Sequence, residues 1–200
     1  MAGIRQFDED AVLDRAMDAF WQRGYGATSM QDLAAATGIL RGSLYHAYGD
    51  KQAIFLLVFD RYKERLLQAA QATLDQPDLR RALGDFFRFT IASMTQAGAD
   101  EAGQPGRPRG CLTTKTATDE TACDETIRVA LRGMLDGLER MLLARLSAAP
   151  HGSLTLPAKD AARLIVTATR GVVVMERVYQ DAAQLKAIAK SLIGVLLRAD

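Results

Sequence analysis

The sequence predicts an all-α chain of about nine helices, three short ones at the N-terminus followed by a larger helical body. Apolar residues recur at helical spacing along most of its 200 residues, and no stretch alternates apolar and polar side chains as a half-buried strand would. Glycines and capping residues fall between the apolar runs and cut them into helix-sized pieces. With 48% hydrophobic and 24% charged residues, the composition is that of an ordinary globular protein.

The first helix is expected from Asp8 to Arg23. Carboxylates crowd its first turn, where the helix dipole favours them. Val12, Leu13, Ala16, Ala19 and Phe20 form its buried stripe, and Gly24 ends it as a left-handed C-cap. Ser29 is a good N-cap, with Asp32 three residues on as a short-armed capping box. It opens a short helix to Thr37, broken at Gly38, and a second short helix spans about Leu40 to His46. Two short helices around a glycine turn form the core of a helix-turn-helix. Gly49 and Asp50 supply the next stop and cap, opening a long helix from Lys51 to about Leu74.

After Pro77, Leu79, Leu83, Phe86, Phe87, Thr90, Ile91 and Met94 share one broad face. Residues 97–110 read as a loop, because their glycines and prolines forbid a continuous helix. A short helical turn is expected near Leu112–Thr118. Ile127, Leu131, Met134, Leu135, Leu138, Leu142 and Leu146 mark a helix from Asp124 towards Pro150. Two helices, about Ala158–Tyr179 and Ala182–Arg198, close the chain. The first is apolar on nearly all sides, so it must be buried on both faces, one against its own core and one against a second subunit.

Composition excludes several classes of protein. No apolar run reaches the length of a membrane span, and Met1–Asp8 lacks the apolar stretch of a secretory signal. A cytoplasmic location is expected, and two cysteines, Cys111 and Cys123, fit a reducing compartment. There is no Ser/His/Asp set, no paired carboxylates in an apolar context and no phosphate loop after a strand, so neither catalysis nor a cofactor is expected. His46 and His151 are the only histidines, which argues against a metal site. The net charge is only +1. Up to Lys51, Arg5, Arg15, Arg23, Arg41 and Lys51 face a larger set of acids: Asp8, Glu9, Asp10, Asp14, Asp18, Asp32 and Asp50. A nucleic-acid role must therefore rest on geometry and motif rather than on a basic footprint.

Such a motif is present. The stretch Ala19-Phe20-Trp21-Gln22-Arg23-Gly24-Tyr25-Gly26-Ala27-Thr28-Ser29-Met30, followed by Ile39-Leu40-Arg41-Gly42-Ser43-Leu44-Tyr45-His46-Ala47-Tyr48-Gly49-Asp50-Lys51, resembles the N-terminal signature of the TetR family. The resemblance covers about residues 8–55. It implies a helix-turn-helix DNA-binding domain over residues 1–50 and a helical effector-binding and dimerisation domain over residues 51–200. It also implies a homodimeric, ligand-responsive regulator that binds a double-stranded DNA operator, a repressor that leaves its operator when a small effector binds. Two positions depart from the family pattern. Leu40 stands where a small hydroxyl residue is usual, and Ala47 where histidine is frequent, so operator preference does not carry over from relatives.

On the recognition helix, Arg41, Gly42, Ser43 and His46 supply a small and polar outer face for the major groove, with Ile39 and Leu44 inward. Arg41 is the best candidate for a bidentate contact with guanine. Tyr45 and Tyr48 are expected to press their rings on the sugar-phosphate backbone. Thr28, Ser29 and Lys51, at helix N-termini, are placed to meet phosphates. Phe59, Phe86, Phe89, Met94, Cys111, Met134 and Leu138 are candidates for an effector pocket, with plain core as the competing reading of each. Leu164, Ala168, Val172, Met175, Leu192 and Val195 are the candidate dimerisation residues. The two cysteines read as packing thiols. The alternative is a thiol-switched repressor in which Arg107, Arg109 or Lys115 activates Cys111.

Overall fold

Local capping chemistry sets the first helices. In the computed structural model, which describes residues 8–95, 97–99, 105–108, 110–120 and 124–198, α1 spans Glu9–Arg23. It opens on Asp8, whose carboxylate accepts from Asp10 N at 3.0 Å and Ala11 N at 3.3 Å. Gly24 stops it at φ 88°, ψ 164°, an extended region open essentially to glycine alone, and not in the left-handed turn expected. Helix α2, Met30–Thr37, starts from a complete capping box: Asp32 N donates to the Ser29 hydroxyl at 3.1 Å, and Ser29 N to the Asp32 carboxylate at 2.8 Å. Gly38, at φ 71°, closes it in the left-handed conformation. Helix α3 runs Arg41–Tyr48, shifted towards the C-terminus of the expected span. Asp50 then caps α4, Lys51–Leu74, by accepting from Ala53 N at 2.8 Å.

The remaining elements are α5 (Leu79–Thr95), β1 (Ala97–Ala99), β2 (Pro105–Pro108), α6 (Leu112–Ala117), α7 (Glu125–Ser147), α8 (Ala158–Tyr179) and α9 (Ala182–Leu196). The two strands correct the expectation of a loop over residues 97–110. They form a short antiparallel ribbon with Ala97 opposite Pro108 and Ala99 opposite Pro105. Proline forbids a continuous helix but is tolerated on an edge strand, and both strands of a two-stranded ribbon are edges. The all-α class stands.

The chain divides into two compact units, one of Met1–Glu64 with Leu112–Leu131 and one of Arg65–Cys111 with Arg132–Asp200. The first unit therefore gathers α1–α3 and the start of α4 together with α6 and the start of α7. Its core is aromatic. Phe55 meets Phe20 edge-on at 5.2 Å and Tyr25 at 4.8 Å, and stacks on Phe59 at 5.7 Å. Trp21 lies edge-on to Tyr62 at 5.2 Å. Each of the fully buried phenylalanines contributes about 1.5–3 kcal/mol by leaving water.

In the second unit, Leu79, Ala82, Leu83, Phe86, Phe87, Ile91 and Met94 form the buried stripe of α5, which packs on α8 and α9. Helices α4 and α7 approach closely at Gly137, where a Cβ would come within 2.9 Å of Leu67. Arg145 of α7 closes the C-terminus of α4, donating to the carbonyls of Leu74 at 3.1 Å and of Gln76 and Pro77 at 2.8 Å. Leu74 is the last residue of α4, and Gln76 and Pro77 lie in the turn that follows it, so one guanidinium ties the helix end to its exit turn.

Candidate nucleic-acid interface

The helix-turn-helix is built by fixing α2 and α3 on α1. Arg15 donates to the Thr37 carbonyl at 3.0 Å, tying α1 to the last turn of α2. Arg23 pairs with Asp32, tying the end of α1 to the start of α2. The Ser29 hydrogen bonds and the nearby Arg23 guanidinium hold the Asp32 carboxyl below the usual carboxylate range. Leu33 and Leu44 are buried at the centre, and Ile39 is half-buried between them.

This leaves one side of α3 facing outward. Arg41, Gly42, Ser43, Tyr45 and His46 are exposed, and the space in front of Gly42 is open to 4 Å. Arg41 lies against Tyr45, its guanidinium carbon 5.4 Å from the ring centroid and Nη2 donating to the Tyr45 hydroxyl at 3.4 Å. Leu40 is 80% exposed at the N-cap and makes no side-chain capping bond. An apolar side chain thus stands open to solvent at the start of α3, next to Arg41 in the chain.

Four of the residues expected at phosphates are held differently. The Thr28 side chain is buried, its hydroxyl donating to the Gly24 carbonyl at 2.6 Å, because it closes the turn between α1 and α2. Tyr48 is only 8% exposed, so its ring packs into the core and does not present a face to solvent. Ser29 is exposed, but its N–H and hydroxyl are bonded to Asp32. Lys51 turns inward: Nζ donates to the Tyr25 carbonyl at 3.0 Å and sits 4.3 Å from the centroid of the Tyr25 ring. Burial, with the carboxylates of Asp124 and Asp50 nearby, pushes the Tyr25 phenol up.

Segment 112–124 adds contacts that the sequence did not announce. Lys115 Nζ donates to the carbonyls of Trp21 and Gln22, each at 2.7 Å. Gly26 N donates to the Asp119 carboxylate at 3.0 Å, and Gln52 Nε2 to Asp124 at 2.9 Å. No local pattern marks these residues, since their partners lie more than seventy positions away.

Of the candidate pocket residues in the second unit, Phe86, Met94, Cys111, Met134 and Leu138 are buried and Phe89 is half-buried. Phe59 is buried in the aromatic core of the first unit. Cys111 is 5% exposed and its sulfur accepts from Arg170 Nη1 at 3.1 Å. The cation beside this thiol is thus Arg170, whereas Lys115 is committed to α1. Cys123 and Arg109 lie outside the described residues.

On α8, Leu164, Ala168, Gly171, Met175 and Val178 follow one another at alternating steps of four and three, and all are exposed or half-buried. On α9, Ile188, Ser191 and Val195 repeat the spacing, with Leu192 half-buried alongside. Val172 instead faces the core of its own unit. The exposed stripe is the pattern of helices that pack in register with others.

Comparison with known proteins gives this geometry a family. Residues 12–58 match the model of bacterial regulatory proteins of the tetR family, and residues 89–191 match the LmrA/YxaF-like transcriptional regulator C-terminal domain. The HTH-type transcriptional repressor ComR of Escherichia coli (strain K12) is 43% identical over 114 residues, 56% of this chain and 50% of ComR. The chain thus spans about half the length of this curated relative. Among solved structures, a cysteine mutant of the TetR family transcriptional regulator CifR, complexed with 26-bp double-strand operator DNA, is 27% identical with a TM-score of 0.80, covering 96% of this chain and 98% of that one. The reduced form of E. coli NemR, 18% identical with a TM-score of 0.82 over 95% and 97% of the two chains, shares the fold. The chain belongs to the TetR family of bacterial regulatory proteins.

Proposed function

We propose that the protein is a homodimeric transcriptional repressor that reads a double-stranded DNA operator with α3 and leaves it when a small effector binds the helical body. The observation that carries this reading is the outward face of α3, where Arg41, Gly42, Ser43, Tyr45 and His46 have no part in the core. Arg41 reads guanine, Ser43 and His46 contact neighbouring base edges, and Tyr45 lies along the backbone. Leu40 joins them as an apolar contact for a thymine methyl group. Residues 1–50 carry the DNA-reading function, and residues 51–200 carry effector binding and dimerisation. The stripes on α8 and α9 supply the dimer contact, which sets two α3 helices about one turn of DNA apart. The operator-bound CifR relative and the repressor ComR support this assignment.

Ser29 and Lys51 reach phosphates only by exchanging their present partners, so this head has few phosphate contacts and a shallow salt dependence. The buried Cys111 offers no accessible thiol, and a thiol switch gains no support from it. An effector can release DNA only by binding one spacing of the two α3 helices better than the other. The test is selection of bound fragments from random DNA by the purified protein, followed by footprinting. The expected product is a palindrome whose half-sites lie about one helical turn apart. Failure to enrich any sequence at low salt overturns the proposal.

A further inference from the structure

Helix α1 ends on carbonyls that are met partly from its own chain and partly from a distant segment. The Phe20 carbonyl takes the Gly24 N–H, but those of Trp21 and Gln22 take their protons from Lys115, and the ammonium meets both at 2.7 Å. A cation here also meets the negative end of the α1 dipole. Four residues on, the Asp119 carboxylate accepts from Gly26 N at 3.0 Å, inside the turn that joins α1 to α2. The fit is close: a Cβ at Gly26 would lie 2.8 and 2.9 Å from the two carboxylate oxygens. The last turn of α1 and the middle of the turn after it are thus both held from outside, and this turn, together with the Arg15–Thr37 and Arg23–Asp32 ties, sets how α2, and with it α3, sits on α1.

We propose that Lys115 and Asp119 form a latch that positions the recognition helix, making them positioning residues for operator binding although neither faces DNA. The inference rests on the DNA-reading function proposed above. Residue 112 begins the segment that carries the latch, directly after Cys111, the last residue of the preceding stretch of the second unit. Nothing in the family signature marks these two residues, because they lie outside residues 8–55.

The sign of the charge effect separates the latch from simple electrostatics. Removing the Asp119 carboxylate takes a negative charge from the DNA-reading unit, which on charge alone strengthens DNA binding. The latch requires the opposite. With DNA selected by the wild-type protein as the probe, Asp119→Ala and Lys115→Met should each lower affinity roughly tenfold, the scale of one charge-assisted hydrogen bond. The slope of log affinity against log salt should stay at the wild-type value, since no phosphate contact is lost. Lys115→Arg should restore binding. Gly26→Ala, which displaces the carboxylate from the other side, should reproduce the Asp119→Ala loss without adding to it in the double variant.

Equal or tighter binding by Asp119→Ala overturns the latch. A salt slope reduced by about one in Lys115→Met also overturns it, by making Lys115 a direct phosphate contact. If the wild-type protein selects no DNA, the functional reading fails, and the latch is then judged on its own by amide exchange. Faster exchange at Gly26 in Asp119→Ala, with the unfolding temperature within a few degrees of wild type, supports it. Unchanged exchange there overturns it.

Discussion

Individual side chains divide into those whose partners are local and those whose partners are distant. Asp8, Ser29 with Asp32, and Asp50 were legible as helix starts because a cap bonds to backbone two or three residues away. Thr28 and Tyr48 were not, because their burial depends on how α1, α2 and α4 pack, and the motif alone allowed either orientation. Glu176 is the sharpest such case. It is 5% exposed on the inner side of α8, and burial raises its carboxyl above the ordinary range. A raised folded-state value means the native state holds its proton more tightly than the unfolded chain. Stability from this group is therefore full below the ordinary carboxylate value and is lost as pH rises through the folded value. Glu176→Gln should accordingly raise the unfolding temperature at neutral pH, with the gain vanishing at about pH 4. Thermal melts at the two pH values check this, and an equal gain at both would contradict it.

Among the elements, α3 shows a trade between stability and exposure. Leu40 occupies an N-cap that a hydroxyl would fill, and its side chain makes no capping bond. Leu40→Ser should stabilise the protein by about 1 kcal/mol, a few degrees in unfolding temperature. It should also relax the preference for thymine at the base pair beneath it. A calorimetric scan and a competition against operators with that base changed check both parts. Loss of stability, or intact thymine preference, would contradict the role given to Leu40. The nine described helices followed from apolar spacing and glycine stops, which act within one element. The ribbon at residues 97–99 and 105–108 did not, since pairing depends on two segments meeting and proline composition spoke only against helix. The contacts of α6 were hidden for a related reason: Lys115 and Asp119 are ordinary surface residues until the fold brings them to α1.

For the whole molecule, the family signature made the helix-turn-helix half legible despite its acidic local charge, because helix spacing and caps are written in neighbouring residues. The other half was legible only as architecture. The expectation of a second buried face on α8 rests on its apolar composition, and the heptad-spaced stripe from Leu164 to Val178, with Val195 at 67% exposure on α9, is the exposed surface on which a subunit contact is proposed. Val195→Asp together with Val178→Asp should convert a dimer to monomers in sedimentation experiments and weaken operator binding by a hundredfold or more, as the two half-sites lose their shared effective concentration. An unchanged sedimentation coefficient would place the subunit contact elsewhere. The central claim, that the outward face of α3 reads DNA, is tested most directly by titrating the selected operator with wild-type protein and with Arg41→Ala. The double variant aside, both proteins should sediment as dimers, and Arg41→Ala should bind about 10- to 100-fold more weakly, with relaxed choice at a guanine. Equal affinity and equal choice of base in the two proteins would contradict it.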